Sequence, residues 1–365
     1  KEVGDIDKET EWSDALIGVE TVVHCAGHTY VTKKDLNTQQ ICNKINVEGT
    51  FQLAKQAVEQ KVKRFVYISS IKVNGEHTLP GQIIDETSTP NPQDFYAKSK
   101  FEAEKLLLNI STYTNMEIVI IRPPIIYGPG VKGNFAKILN LLKTGIPLPL
   151  GKTNNLRSLI GIENFVSVVL LCAERKRSPN AANQVFMVSD GEDISTTTLL
   201  RKISKAAGIL SLLIPIPNYF IIAGASFLGK STTTRRLLNN LQIDITKINN
   251  LLGWSPEISI DEQLLRMFEK ENNCKFYSYI NEILFRFFDI MFAGIGLFVL
   301  LPILIILYIL GLFDTGSPLF KQERVGRYEK SFILVKFRSM HLDTSSAASH
   351  LMSSKSVTNF GKILR

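Results

Sequence analysis

With 365 residues, 45% hydrophobic and 21% charged, the chain is long enough for two domains and too apolar to be disordered throughout. The formal charge of +8 would suit nucleic acid, but no basic stripe interleaved with aromatic residues accompanies it, so that class is set aside. Cys25, Cys42, Cys172 and Cys274 lie far apart without metal-ligand spacing, the pattern of reduced thiols with no metal site.

The chain opens Lys-Glu-Val-Gly-Asp, as if inside a domain. Val3–Ile6 reads as strand-like and is followed by a polar link. Thr21–His24 reads as a buried-type strand running into Cys25, Ala26 and Gly27. Ile41 to Gln60 spaces Ile45, Phe51, Leu53, Ala54 and Val58 as a helix does. Arg64–Ile68 is a second strand, ending in the hydroxyls of Ser69 and Ser70, and Asn74-Gly75 makes a turn. Glu117–Ile121 is another strand, running into Arg122-Pro123-Pro124. This alternation predicts a parallel sheet covered by helices, with ligands at the carboxyl ends of the strands.

Tyr96 and Lys100 stand four apart at the start of a run with few helix breakers, so a helix places them on one face. An ammonium there would favour phenolate over phenol and let the tyrosine act as a base nearer neutral pH. A bare Tyr-x-x-x-Lys is more often a surface pair; its neighbours decide.

Strand, small-residue turn, helix, strand, Ser-Ser and then Tyr-x-x-x-Lys is an order that resembles the extended short-chain dehydrogenase/reductases, the sugar-nucleotide epimerase and dehydratase family, from the first residue to about Glu269. The resemblance implies that Ser70, with Ser69 beside it, orients a substrate hydroxyl, that Tyr96 moves its proton, and that Lys100 tunes Tyr96 and holds a nicotinamide ribose. It implies NAD or NADP as cofactor. Asp5 and Ile6 match the pair that contacts adenine, His24-Cys25-Ala26-Gly27 matches the turn under the dinucleotide, and Asn46 sits in an Asn-Val-x-Gly-Thr run of the family. The family's glycine-rich pyrophosphate turn is not in this sequence, so the first βαβ unit is expected to be missing, and with it the residue that separates NAD from NADP.

Beyond Arg122, Gly133-Asn134-Phe135 and Asn154-Asn155-Leu156-Arg157 fall where relatives that bind UDP-sugars hold the diphosphate and uridine, which implies such roles for Asn134 and Arg157. Leu252-Gly253-Trp254 and the helix after it look like the close of such a domain. Gly224 to Ser231 satisfies the P-loop pattern, with Tyr219–Ala223 before it as a candidate strand, but little α/β sequence follows for a nucleotide-triphosphate domain. Ala206 to Gly229 carries no charge for 24 residues; its prolines and surroundings favour a partly buried substrate lobe over a span.

From Phe285 the composition changes. Ile290 to Phe313 is 24 residues without a charge, long enough to enter a bilayer. Basic residues on both flanks and Pro302 at the centre predict a broken helix that enters and leaves by the cytoplasmic face; an ordinary kinked span is the alternative. Gly316 to Arg327 and Val335 to Met340 resemble the bacterial sugar transferases, monotopic enzymes that move a sugar phosphate from a UDP-sugar to polyprenyl phosphate. That resemblance implies Mg2+ for a complete transferase domain. It also places the nucleophilic Asp, with its Glu neighbour, just after a segment like Phe360–Arg365, outside this sequence.

The expected organisation is a Rossmann-like, doubly wound α/β domain over 1–270 with a small substrate lobe, a linker over 271–284, and a transferase domain from 285 to 365 with a membrane helix at 290–313. The expected function is that of a piece of a bifunctional envelope-polysaccharide enzyme. An NAD(P)-dependent 4-epimerase or 4-ketoreductase of a UDP-N-acetylhexosamine-type sugar is joined to a polyprenyl-phosphate sugar-1-phosphate transferase at the cytoplasmic face of the bacterial inner membrane. This piece alone is expected to be inactive in both steps. A homodimer is compatible with the resemblance. The rival reading is a non-catalytic membrane scaffold with a dehydrogenase fold, against which the Ser70/Tyr96/Lys100 set argues.

Overall fold

The computed structural model describes residues 3–29, 36–209, 211–227, 234, 237–269, 276–325, 331–341 and 356–364. The chain divides into two compact units, Lys1–Lys275 and Phe276–Arg365.

In the first unit, β1 (Thr21–His24), β2 (Arg64–Ile68), β3 (Glu117–Arg122) and β6 (Gln184–Met187) form one parallel sheet in the order β1-β2-β3-β6. Every residue of β2 is buried, as a central parallel strand covered on both faces requires. Because side chains alternate along a strand, Phe65, Tyr67, Ile118 and Ile120 turn to one layer, and Val66, Ile68, Val119 and Ile121 to the other. The first layer is closed by α2 (Thr50–Glu59) and α3 (Phe95–Tyr113) through residues such as Leu53, Ala57 and Leu107. The second is closed by α5 (Ile162–Ala173), α8 (Thr246–Leu252) and Trp254.

A smaller lobe is built on the parallel pair β4 (Ile125–Tyr127) and β5 (Leu159–Gly161). Around it lie α4 (Gly133–Lys143), α6 (Thr196–Ala207) and α9 (Ile260–Glu269), which share a core with Tyr127, Phe135 and Leu200. The candidate P-loop is not a turn after a strand. Its first residues belong to α7 (Asn218–Phe227), Tyr219–Ala223 being helical, and Leu228 to Ser231 lie outside the described residues.

The helix expected over Ile41–Gln60 begins earlier and changes pitch. It runs as α1 (Leu36–Cys42), a π-helical stretch Asn43–Gly49, and then α2. Val3–Ile6 is not a strand: it lies in irregular backbone, held locally by Thr10 Oγ1 donating to the Asp5 carbonyl at 2.6 Å. With no strand partner, its apolar residues serve packing: Ile6 sits against Gly49, where an added Cβ would come within 2.6 Å of Ile6 Cγ2.

The second unit opens with α10 (Phe276–Thr315), a single helix of 40 residues with Pro302 inside it. It starts within the expected linker, and the expected break at Pro302 is absent. Proline removes one backbone hydrogen bond, at a cost of about 3 kcal/mol, and distorts a helix without having to end it when apolar helix-forming turns continue on both sides. Ile290–Thr315 is apolar and unburied within the structure, long enough by length and composition to cross a membrane. An antiparallel hairpin of β7 (Leu319–Val325) and β8 (Ser331–Phe337) follows, then α11 (Asn359–Leu364).

One buried ion pair ties the sheet to α3. Arg122, at the end of β3, donates from Nε and Nη2 to Glu104 of α3 at 2.9 and 2.5 Å, and from Nη1 to Asn74 Oδ1 at 2.9 Å. Removing one partner leaves the other charge buried and unpaired, typically costing about 3–5 kcal/mol. Glu104→Ala is expected to lose that much in urea unfolding. Tryptophan fluorescence reports the first unit alone, since the chain's 2 tryptophans are Trp12 and Trp254. A loss below about 1 kcal/mol, the scale of an exposed pair, would show that water replaces the lost partner.

Candidate functional site

The helix carrying Tyr96 and Lys100 is aimed by its cap. Asp94, with extended backbone, accepts from Ala97 N at 2.8 Å, and the same carboxylate takes Lys72 Nζ at 2.7 Å. Opposite, β2 ends at Ile68, and Ser70 caps the short 3-10 turn Ile71–Val73 by accepting from Lys72 N. Ser70 lies close enough to the Tyr96 phenol to favour its ionised form. Burial pushes that phenol up to about 12, against the nearby Ser70 hydroxyl, which pulls it down.

The partners of the Lys100 ammonium in the structure are a strand-end carbonyl and a neighbouring ring. The ammonium donates to the Ile68 carbonyl at 2.8 Å and lies over the Tyr67 ring, 4.5 Å from the centroid. Burial brings it down to about 8, with Glu104 opposing. The cation facing the Tyr96 ring is Lys72, at 5.7 Å. Helical spacing fixes where a lysine starts; the strand-end carbonyl decides where its four-carbon stem ends.

On the other side of Lys100 lies Gly27. A Cβ there would meet Asn46 Oδ1 at 3.0 Å and Lys100 Nζ at 3.3 Å, so the chain approaches both groups closely. The π-helical turn presents Asn46, which accepts from His28 N at 2.7 Å and donates to the His28 carbonyl at 3.1 Å and to Ser99 Oγ at 2.9 Å. His24 is buried with Nε2 3.0 Å from Thr50 Oγ1. Burial and then the Lys100 charge lower its imidazole to about 4. Cys25 and Ala26 are exposed at the end of β1. Ser69 is buried, and its hydroxyl has no partner among the described residues.

Thus the fold gathers His24, Gly27, Asn46, Ser69, Ser70, Tyr96 and Lys100 at the carboxyl ends of β1 and β2, with Ile6 against Gly49 nearby. Asp5 is exposed, its carbonyl bound by Thr10. Ser70 and Arg157 line one cavity of about 350 Å³, walled by Phe135, Ile138, Leu141 and Leu199. Arg157 donates from Nη1 to the Asn239 carbonyl at 2.9 Å, and burial lowers its guanidinium to about 10. Asn134 lies in the first turn of α4, and its side chain is outside the described residues. Two residues that the sequence reading missed also line the cavity: Lys72 and Glu76, whose side chains come within 3.8 Å. Their i, i+4 spacing directly after Ser69-Ser70 was the available signal.

Both units resemble known proteins. The model of the 3-beta hydroxysteroid dehydrogenase/isomerase family matches residues 2–214, and that of the bacterial sugar transferases matches residues 280–365. A UDP-glucose 4-epimerase of Vibrio cholerae is 42% identical over 277 residues, 74% of this chain and 84% of that protein. The chain belongs to the epimerase/dehydratase short-chain dehydrogenases. Its C-terminal part is a bacterial sugar transferase domain. An N-acetyl-α-D-glucosaminyl-diphospho-ditrans,octacis-undecaprenol 4-epimerase of Escherichia coli O157:H7 is 24% identical over 284 residues, 74% of this chain and 83% of that protein. Among solved structures, UDP-glucuronic acid 4-epimerase from Bacillus cereus, in complex with NAD, superposes with a TM-score of 0.58 at 20% identity, covering 75% of this chain and 78% of that one. RMD from Pseudomonas aeruginosa, complexed with NADPH, gives 0.55 at 22% identity, covering 70% and 85%. These two establish for this dehydrogenase the Rossmann-like parallel fold.

The buried histidine gives the dehydrogenase unit a pH signature. His24 is held neutral, so the unfolded chain binds more protons between about pH 6.5 and 4, and stability is lost as pH falls through that window. The difference is worth roughly 3 kcal/mol. His24→Gln is expected to flatten that part of the stability profile read by tryptophan fluorescence. An unchanged slope would assign the acid sensitivity to other groups.

Proposed function

We propose that the dehydrogenase unit is an NAD(P)-dependent 4-epimerase or 4-ketoreductase of a UDP-N-acetylhexosamine-type sugar. In this proposal the second unit belongs to a UDP-sugar:polyprenyl-phosphate sugar-1-phosphate transferase at the cytoplasmic face of the bacterial inner membrane. The observation that carries the reading is one cavity lined by both Ser70 and Arg157, with Ser70 close to the Tyr96 phenol. The 42%-identical relative is a UDP-glucose 4-epimerase, which supports a UDP-sugar.

The residues present fit a nicotinamide dinucleotide. The unpartnered Ser69 hydroxyl and the close approach at Gly27 leave polar groups and bare backbone beside Lys100 and Asn46. His24, Cys25, Ala26, Gly27, Asn46, Ser69, Tyr96 and Lys100 would hold it, with Asp5 and Ile6 towards the adenine. When bound, NAD(P) supplies hydride transfer at the sugar carbon.

Ser70 orients the substrate hydroxyl. Tyr96, protonated at neutral pH with its phenol at about 12, gives a proton to a carbonyl oxygen during reduction and regains it when the hydroxyl is oxidised. Lys100 holds positive charge beside the pair up to about pH 8. Asn134 and Arg157 are assigned to the diphosphate and nucleoside. For Mg2+ in the second unit, no group of three potential ligands occurs among the described residues, and no step is assigned to it.

Purified intact protein is expected to interconvert a UDP-N-acetylhexosamine with its C-4 epimer without net consumption of NAD(P)H, or to oxidise NADPH stoichiometrically with a 4-keto sugar nucleotide. Turnover of neither class would sink the proposal. Tyr96→Phe should lower kcat by about 10²–10⁴-fold, with UDP-sugar affinity held within a few-fold; near-normal turnover moves the proton transfer elsewhere. As the Lys100 ammonium discharges, kcat/KM should decline above about pH 8. A profile flat to pH 10 would remove Lys100 from the site's electrostatics.

A further inference from the structure

Two stretches of the smaller lobe have a charge distribution unlike the rest of the chain. Residues 123–162 and 194–243 contain no Asp or Glu, whereas they hold Lys132, Lys137, Lys143, Lys152, Lys205 and further Lys and Arg residues. Interleaved with these cations is uncovered apolar surface. The segment 146–151 pairs with 212–216: Leu148 N donates to the Leu212 carbonyl, Ile214 N to the Leu148 carbonyl, and Gly151 N to the Ile214 carbonyl. That pairing buries Leu148 and Leu150 and leaves Ile146, Leu212 and Ile214 exposed beside it. The same strip continues through Pro217 into α7, where Tyr219 and Phe220 are 63% and 54% exposed and their rings are 3.8 Å apart. Asn218, at the start of α7, accepts from Thr153 Oγ1 at 3.2 Å, which keeps the helix beside the 146–152 segment.

We propose that this face of the lobe is a peripheral membrane-binding surface that seats on an anionic lipid bilayer. Exposed aromatic and aliphatic side chains, in segments that carry lysines and no Asp or Glu, are the composition of an interfacial element. A bilayer is chosen over other occupants because the same chain carries Ile290–Thr315, apolar and unburied, joined to the dehydrogenase unit by about twenty residues after Glu269. A tethered surface meets lipid at high effective concentration, so even a weak apolar patch is occupied. The consequence reaches the candidate site. Helix α4 lends Phe135, Ile138 and Leu141 to the cavity wall, and the segment leaving its C-terminal end carries Ile146, so a seated lobe holds the cavity close to the headgroups.

The test is hydroxyl-radical footprinting of the intact chain, in phosphatidylcholine vesicles with added phosphatidylglycerol and in lipid-free amphipol. Oxidation of Tyr219, Phe220 and Ile146 is expected to fall at least fivefold on the vesicles, while Leu170 and Ile17, exposed elsewhere on the unit, are unchanged. The double variant Lys152→Glu/Lys205→Glu should restore the labelling without detaching the protein from the vesicles. Equal labelling in both preparations overturns the proposal. So does protection that rises with protein concentration in amphipol, which would make the face a contact between copies, or protection that requires added RNA.

Discussion

The position of the site depends on a charge pair that no water reaches easily. Arg122 ends β3, Glu104 lies in the middle of α3, and Asn74 closes the turn after Ser70. One guanidinium therefore fixes three pieces of backbone, and Ser70 and Tyr96 sit on two of them. A pair in this setting gives little net stability over well-packed apolar residues, but it is costly to break. Its physical role is to make relative displacement of α3 and the Ser70 loop expensive. The hydroxyl–phenol geometry inherits that stiffness.

Within that frame the site is electrostatically restrained. His24, Tyr96 and Lys100 are all moved by burial toward their neutral forms, His24 and Lys100 downward and Tyr96 upward. Lys100 remains charged at neutral pH, with Glu104 opposing the burial, and its ammonium rests on the Ile68 carbonyl and over the Tyr67 ring. The carboxylates nearest the chemistry are occupied: Asp94 by the cap and Lys72, Glu104 by Arg122.

Much of this was legible in the chain because it is local. The strand at Arg64, the hydroxyls after it and the spacing of Tyr96 to Lys100 are short-range patterns, and the parallel order of β1, β2 and β3 followed from their alternation with helices. What the chain did not announce depends on distant partners. The direction of the Lys100 side chain is set by a carbonyl 32 positions away. Lys72 and Glu76 become cavity residues only when β4 and α4 close over them. Proline at 302 suggested a break from its own chemistry, but the apolar turns around it carry the helix through. Val3–Ile6 had the composition of a strand without the partner that makes one.

The π-helical stretch Asn43–Gly49 acts as a phase shifter between two neighbours. A π turn holds back the angular advance that an α-helix would make over the same number of residues. Leu53, Ala54 and Ala57 of α2 must face the sheet, whereas Asn46 must face His28 and Ser99, and the widened turn lets one continuous helix satisfy both directions. Winding Asn43–Gly49 at ordinary pitch, with no residue lost, would add about 100° of advance and rotate one set against the other. The core would hold its own register, since it buries more surface. Asn46 would be the residue turned away, so loss of the site there would come from a change of phase rather than a change of side chain.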